Sequence, residues 1–105
     1  VEVEIIMNDP ASVSQMDNPM WDTIQKAVNQ PFPSARLSPQ FVVGFTDARV
    51  YRNLGSVAYG AGLFSPDLKS SDFMSRFHGH NERIDVESLS LTTQFWLDVC
   101  HDFLG

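Results

Sequence analysis

The chain has 105 residues, a length suited to one domain, and its 43% hydrophobic content could fill a modest core. Seven Lys and Arg against thirteen Asp and Glu leave a net charge of -6 with no basic run, which argues against a nucleic-acid partner. A single cysteine, Cys100, excludes an internal disulfide and a multi-cysteine zinc cluster, and no apolar run approaches the roughly 20 residues that span a bilayer, so a cytoplasmic protein with no membrane partner is expected.

In chain order, "VEVEIIM" alternates, with Val1, Val3 and Ile5 on one face and Glu2 and Glu4 on the other, which predicts a strand from residue 1. A strand that opens without an initiator Met reads as the start of an excised piece. "NDPASVSQMDNP" is a connector, with a boundary near residue 10. Asn18 as N-cap and Pro19 at the first helical position then predict a helix to about Gln30, with Met20, Trp21, Ile24, Ala27 and Val28 at helical spacing. "PFPSARLSP" is a loop, and "QFVVGF" is an apolar run of the kind found in strands buried on both faces. Thr46 is placed to cap a short helix, "DARVYRNL", closed by Gly55 in the left-handed conformation. "SVAYGAG" reads as a further strand, and Leu63 to Phe77 shows no periodicity. Asp85 then caps the last helix, whose apolar face is read as Leu89, Thr92, Trp96, Val99, Cys100 and Phe103. Strand, helix, strand, helix, strand, loop, helix predicts an α/β fold with parallel pairing. There are no internal repeats.

Three stretches can carry chemistry. In "GFTDARVYR" a strand passes into a helix, and Arg49 in the first turn opposes the helix dipole, which suggests an anionic partner; the plainer reading is a pairing with Asp47 or another surface carboxylate. In "YGAGLFSP", Gly60 and Gly62 let backbone N–H groups approach a ligand, or simply make a turn. In "FHGHNERI", His78 and His80 sit two apart, with Asp72, Glu82 and Asp85 as nearby oxygens; such a pair is either part of a metal site or two surface histidines. His101 suits the end of a helix, and Cys100 reads as a small core residue.

Together with the closing helix, these stretches resemble the C-terminal part of the two-zinc aminoacylase and carboxypeptidase family, which includes acetylornithine deacetylase, succinyl-diaminopimelate desuccinylase and several dipeptidases. "GFTDARVYR" resembles its Gly-Gly-Thr-Asp-Ala-Arg segment, "SVAYGAG" its following strand and glycine loop, and "FHGHNERIDVE" its His-Gly-Pro-Asp-Glu-Arg-Ile segment. Phe45 stands where the family commonly has the second Gly, and "AGLFSPD" lacks the usual Gly-Pro. The resemblance implies an α/β zinc-exopeptidase-like catalytic domain with mostly parallel strands. Residues 1–9 would be the last strand of an inserted lid (dimerisation) domain and 10–105 the C-terminal part of the catalytic domain.

On the same resemblance, the expected activity is hydrolysis of the amide bond of an N-acyl amino acid or small peptide with a free carboxylate. Two zinc ions per site, or cobalt or manganese in their place, are the implied cofactors. Of the ligands only the late histidine lies here, at His78, while His80 occupies a variable position. Arg49 would grip the substrate carboxylate, helped by N–H groups of the loop at Gly60 and Gly62. Glu82 would either orient His78 or stand as a surface acid. The general base and the other ligands lie outside the chain, so the segment alone is expected to be inactive, with the missing N-terminal part of the parent as its partner and a homodimer formed through the lid. The alternative is a noncatalytic anion-binding or interaction module using Arg49 and the glycine loop.

Overall fold

Asn18 and Pro19 open the first helix as their chemistry requires. In the computed structural model, which describes residues 1–105, the Asn18 side chain accepts a hydrogen bond from Trp21 N at 3.2 Å, and Pro19, which has no N–H to satisfy, occupies the first position of α1 (Pro19–Asn29). Three more helices follow: α2 (Ala48–Asn53), α3 (Ser70–Met74) and α4 (Val86–Leu104). Asp85 caps α4 by accepting from Ser88 N. Gly55 closes α2 at φ +87°, with its own N–H donating to Arg52 O and that of Ser56 to Tyr51 O. This paired arrangement satisfies two orphan carbonyls and needs a residue at ease in the left-handed region.

The chain divides into two compact units, one of residues 1–16 and 40–60, the other of 17–39 and 61–105. The second unit holds the core. There α1 lies against α4, and the buried residues are Thr23, Ile24, Ala27 and Val28 of α1 and Ser88, Phe95 and Val99 of α4. Phe95 is 1% exposed and Ser88 is fully buried. Outside this apolar contact, Asp102 of α4 accepts from Thr23 Oγ1 at 3.0 Å and pairs with Lys26 Nζ at 3.2 Å; Lys26 first, then Thr23, lowers its pKa. Gln25 and Asn29 fasten the loop after α1 by donating to Ala35 O, and Asn29 also donates to Phe32 O and Pro33 O.

In the first unit the fastener is Arg52. Its Nε and Nη2 donate to Ala58 O at 3.0 and 2.6 Å, and it reaches the Ser12 and Ser14 hydroxyls. Ser14 Oγ accepts from Ala58 N at 2.9 Å.

The α/β expectation is overturned: helices take 39% of the residues and no strand or sheet forms. A strand is stable only when its backbone N–H and C=O groups meet a neighbour's ladder. Residues 1–7 have the alternation but no ladder beside them, and Val1, Val3 and Ile5 remain exposed, as do Phe41, Val42 and Val43 of the second apolar run. In "SVAYGAG" the N–H and C=O of Ala58 are taken by the Ser14 hydroxyl and the Arg52 guanidinium. Smaller corrections follow. Asp47, not Thr46, precedes α2 and makes no side-chain cap. A short helix, α3, interrupts the stretch read as irregular. The buried stripe of α4 runs through Ser88, Phe95 and Val99, so Leu89, Trp96, Cys100 and Phe103 are exposed and Cys100 is no core residue.

Candidate functional site

Arg49, the second residue of α2, is held on three sides within the first unit. Its Nε lies 3.1 Å from Asp9 Oδ2, with both side chains 32% exposed. Its Nη1 donates to Thr46 O at 3.4 Å, and the guanidinium carbon sits 5.1 Å from the centre of the Phe45 ring, within the range of a cation–π contact. A surface carboxylate does pair with Arg49, as the plainer reading required, and it is Asp9 rather than Asp47. Sequence reasoning missed Asp9. Gly60, in the same unit, borders open space on the side where a Cβ would project.

Gly62 and His78 belong to the second unit. A Cβ on Gly62 would sit 3.5 Å from Thr92 Oγ1 of α4, and the same hydroxyl accepts from Leu63 N at 3.0 Å and donates to Leu63 O. The glycine stretch is thereby tied to the middle of α4.

His78 heads the turn between α3 and α4, exposed and left-handed at φ 54°; Asn81 is left-handed too, at φ 62°. Few residues other than Gly accept that region, and His and Asn are among those that do so most readily. The ends of the turn are fastened: Arg76 Nη1 meets Asp85 Oδ2 at 2.6 Å. Ser88 N, then the Ser88 hydroxyl, with Arg76 adding to them, hold the Asp85 carboxyl at about 2, below its ordinary 3.8. From the fully buried Ser88 the polar chain continues outward, its Oγ accepting from Ser65 N at 2.9 Å, while Ser65 Oγ donates to the exposed Glu87 at Oε2, 2.5 Å away. Arg76 Nε is buried without a partner beside this chain. Phe64, Phe73 and Phe77 stack edge to face under the turn at centroid spacings of 4.7 Å. Glu82 makes no hydrogen bond to His78, and Asp85, one of the oxygens considered for a metal, is engaged as a cap.

Nowhere do three His, Cys, Asp or Glu side chains gather as a metal-binding group. The residues of this chain do not by themselves fit a zinc ion, which wants about four such donors. A depression of about 440 Å³ lies elsewhere, between α1 and α4, and its lining includes none of Arg49, Gly60, Gly62 or His78.

Over residues 1–102 the sequence matches peptidase family M20/M25/M40. The chain belongs to this family. The resemblance seen in the three motifs is therefore sound, and the M20/M25/M40 family is one of hydrolases that are generally metal-dependent. Among curated proteins, the N-fatty-acyl-amino acid synthase/hydrolase PM20D1 of Xenopus tropicalis is 32% identical over 101 residues, 94% of this chain and 19% of the relative. The N-fatty-acyl-amino acid synthase/hydrolase PM20D1.1 of Danio rerio is 29% identical over 94% of the chain and 19% of its own length. The Dictyostelium discoideum protein named "Probable carboxypeptidase S-like 2" is 26% identical over 91% of the chain and 18% of its own length. The M20/M25/M40 chain thus spans about a fifth of the length of these relatives. No solved structure matches it significantly.

Proposed function

We propose that this chain belongs to a metal-dependent amidohydrolase that cleaves the amide bond between a fatty acyl group and an amino acid or small peptide with a free carboxylate. The observation that carries the reading is the chain-long likeness to the N-fatty-acyl-amino acid synthase/hydrolase PM20D1 within a peptidase family. In this reading Arg49 takes the substrate carboxylate, and Gly60 and Gly62 each offer a backbone N–H to the substrate. His78 is the single imidazole offered to a zinc ion whose other ligands lie outside these residues, and His80 is not a ligand. Residues 1–9 then close the inserted lid, through which a homodimer forms, and 10–105 complete the catalytic domain. The 105-residue chain alone has no metal-binding group and is inactive.

The test uses the full-length protein with an N-fatty-acyl amino acid and its carboxamide, which lacks the free acid. Hydrolysis of the acid in preference to the carboxamide is expected. Arg49→Lys keeps the charge and loses the planar fork, so kcat/KM on the acid should fall about 10- to 100-fold. Equal turnover of both compounds, or unchanged kinetics in Arg49→Lys, would remove Arg49 from the role of carboxylate clamp.

A further inference from the structure

An arginine that must recognise a carboxylate works best when its fork is ordered before the ligand arrives, because a loose side chain loses rotamer freedom on binding. The surroundings of Arg49 have that character. Asp9 reaches it from a segment 40 positions earlier in the sequence, its Oδ2 lying 3.1 Å from Nε as an ion pair. The Thr46 carbonyl takes one hydrogen of Nη1, and the Phe45 ring covers one face of the guanidinium. Of the guanidinium nitrogens, Nη1 alone donates a hydrogen bond within the protein.

We infer that Asp9 and Phe45 are positioning residues that hold the Arg49 guanidinium so that its free N–H groups meet a substrate carboxylate. The inference rests on the reading of Arg49 as the carboxylate clamp and adds to it the residues that order the clamp. The Asp9 charge also offsets part of the arginine's attraction for anions in general, so recognition depends on the geometry of the fork more than on charge alone. Phe45 stands where the family commonly has a glycine, and a glycine has no ring to place against the guanidinium. An isolated surface ion pair contributes little, but this one is two-thirds covered and braced by the ring, so its value is orientation.

The experiment measures KM and kcat of the full-length protein for an N-fatty-acyl amino acid and for its carboxamide, in Asp9→Asn, Asp9→Glu, Phe45→Leu and Arg49→Lys. Asp9→Asn should raise KM for the acid about 5- to 10-fold with kcat nearly unchanged and the carboxamide unaffected, and Phe45→Leu should raise it about 2- to 5-fold. Asp9→Glu keeps the charge at a slightly longer reach and should restore most of the preference for the acid. A lower KM for the acid in Asp9→Asn would mean that Asp9 competes with the substrate, which overturns the inference. An acid-to-carboxamide ratio unchanged by Asp9→Asn and Phe45→Leu, while Arg49→Lys abolishes it, overturns the inference and leaves the clamp standing. A ratio unchanged by Arg49→Lys overturns both.

Discussion

Asp85 uses one carboxylate for three purposes: it caps α4 through Ser88 N, accepts from the Ser88 hydroxyl and pairs with Arg76 across the histidine turn. These partners favour the charged form, which is why its pKa sits at about 2 in the fold against an ordinary 3.8. The sign follows directly. The unfolded chain takes up the proton first as pH falls, so the contribution is complete above about pH 4 and is lost as pH drops towards 2. Asp85→Asn should therefore weaken α4 at neutral pH and flatten the pH dependence of stability in that window, read from ellipticity at 222 nm during acid titration. A titration curve that coincides with that of the unsubstituted chain would show that Asp85 is not the group responsible. The cap was legible in the sequence, since Asp85 and Ser88 are three residues apart. The pairing of Arg49 with Asp9 was not, because it joins residues 40 positions apart and depends on how the first unit folds.

Among the elements, α1 and α4 carry the core, and Phe95 is its largest fully buried side chain. Phe95→Ala should cost about 3–5 kcal/mol, on the order of the whole stability of a small domain, and urea titration followed by ellipticity should show most of the helix signal gone at low denaturant. Phe95→Leu, which keeps most of the volume, should retain it. A small loss in the alanine variant would mean that the α1–α4 contact is not what holds the second unit together. Both helices were legible from caps and periodicity, but the buried stripe of α4 was read nearly one residue out of turn. Phe95 and Trp96 are adjacent aromatics, and spacing alone does not choose between them. Their choice follows from contacts distant in sequence: Ser88 bonds Ser65, Thr92 bonds Leu63, and this rotation brings Phe95 inward. The strands failed for a related reason. Alternation identifies a segment that suits a sheet, yet the ladder must come from another segment, and in "SVAYGAG" Ser14 and Arg52 supply side-chain bonds in its place.

At the scale of the molecule, the chemistry proposed for His78 requires more ligands than these 105 residues bring together. Metal analysis of the full-length protein should find His78→Ala depleted and His80→Ala close to the unsubstituted protein, while the 105-residue chain binds zinc weakly or not at all. Loss of metal in His80→Ala with retention in His78→Ala would reverse the assignment. The two compact units are interleaved along the chain, so no single cut separates them. During synthesis this sets an order of completion. The first unit has all its residues once position 60 has left the ribosome, whereas α1 waits for α4 and the later residues of the second unit. At about 5–20 residues per second, Ile24, Ala27 and Val28 stand without their partner helix for a time on the order of seconds. The nascent chain is most open to capture by a chaperone in that interval, and slowing translation between α1 and α4 would prolong it.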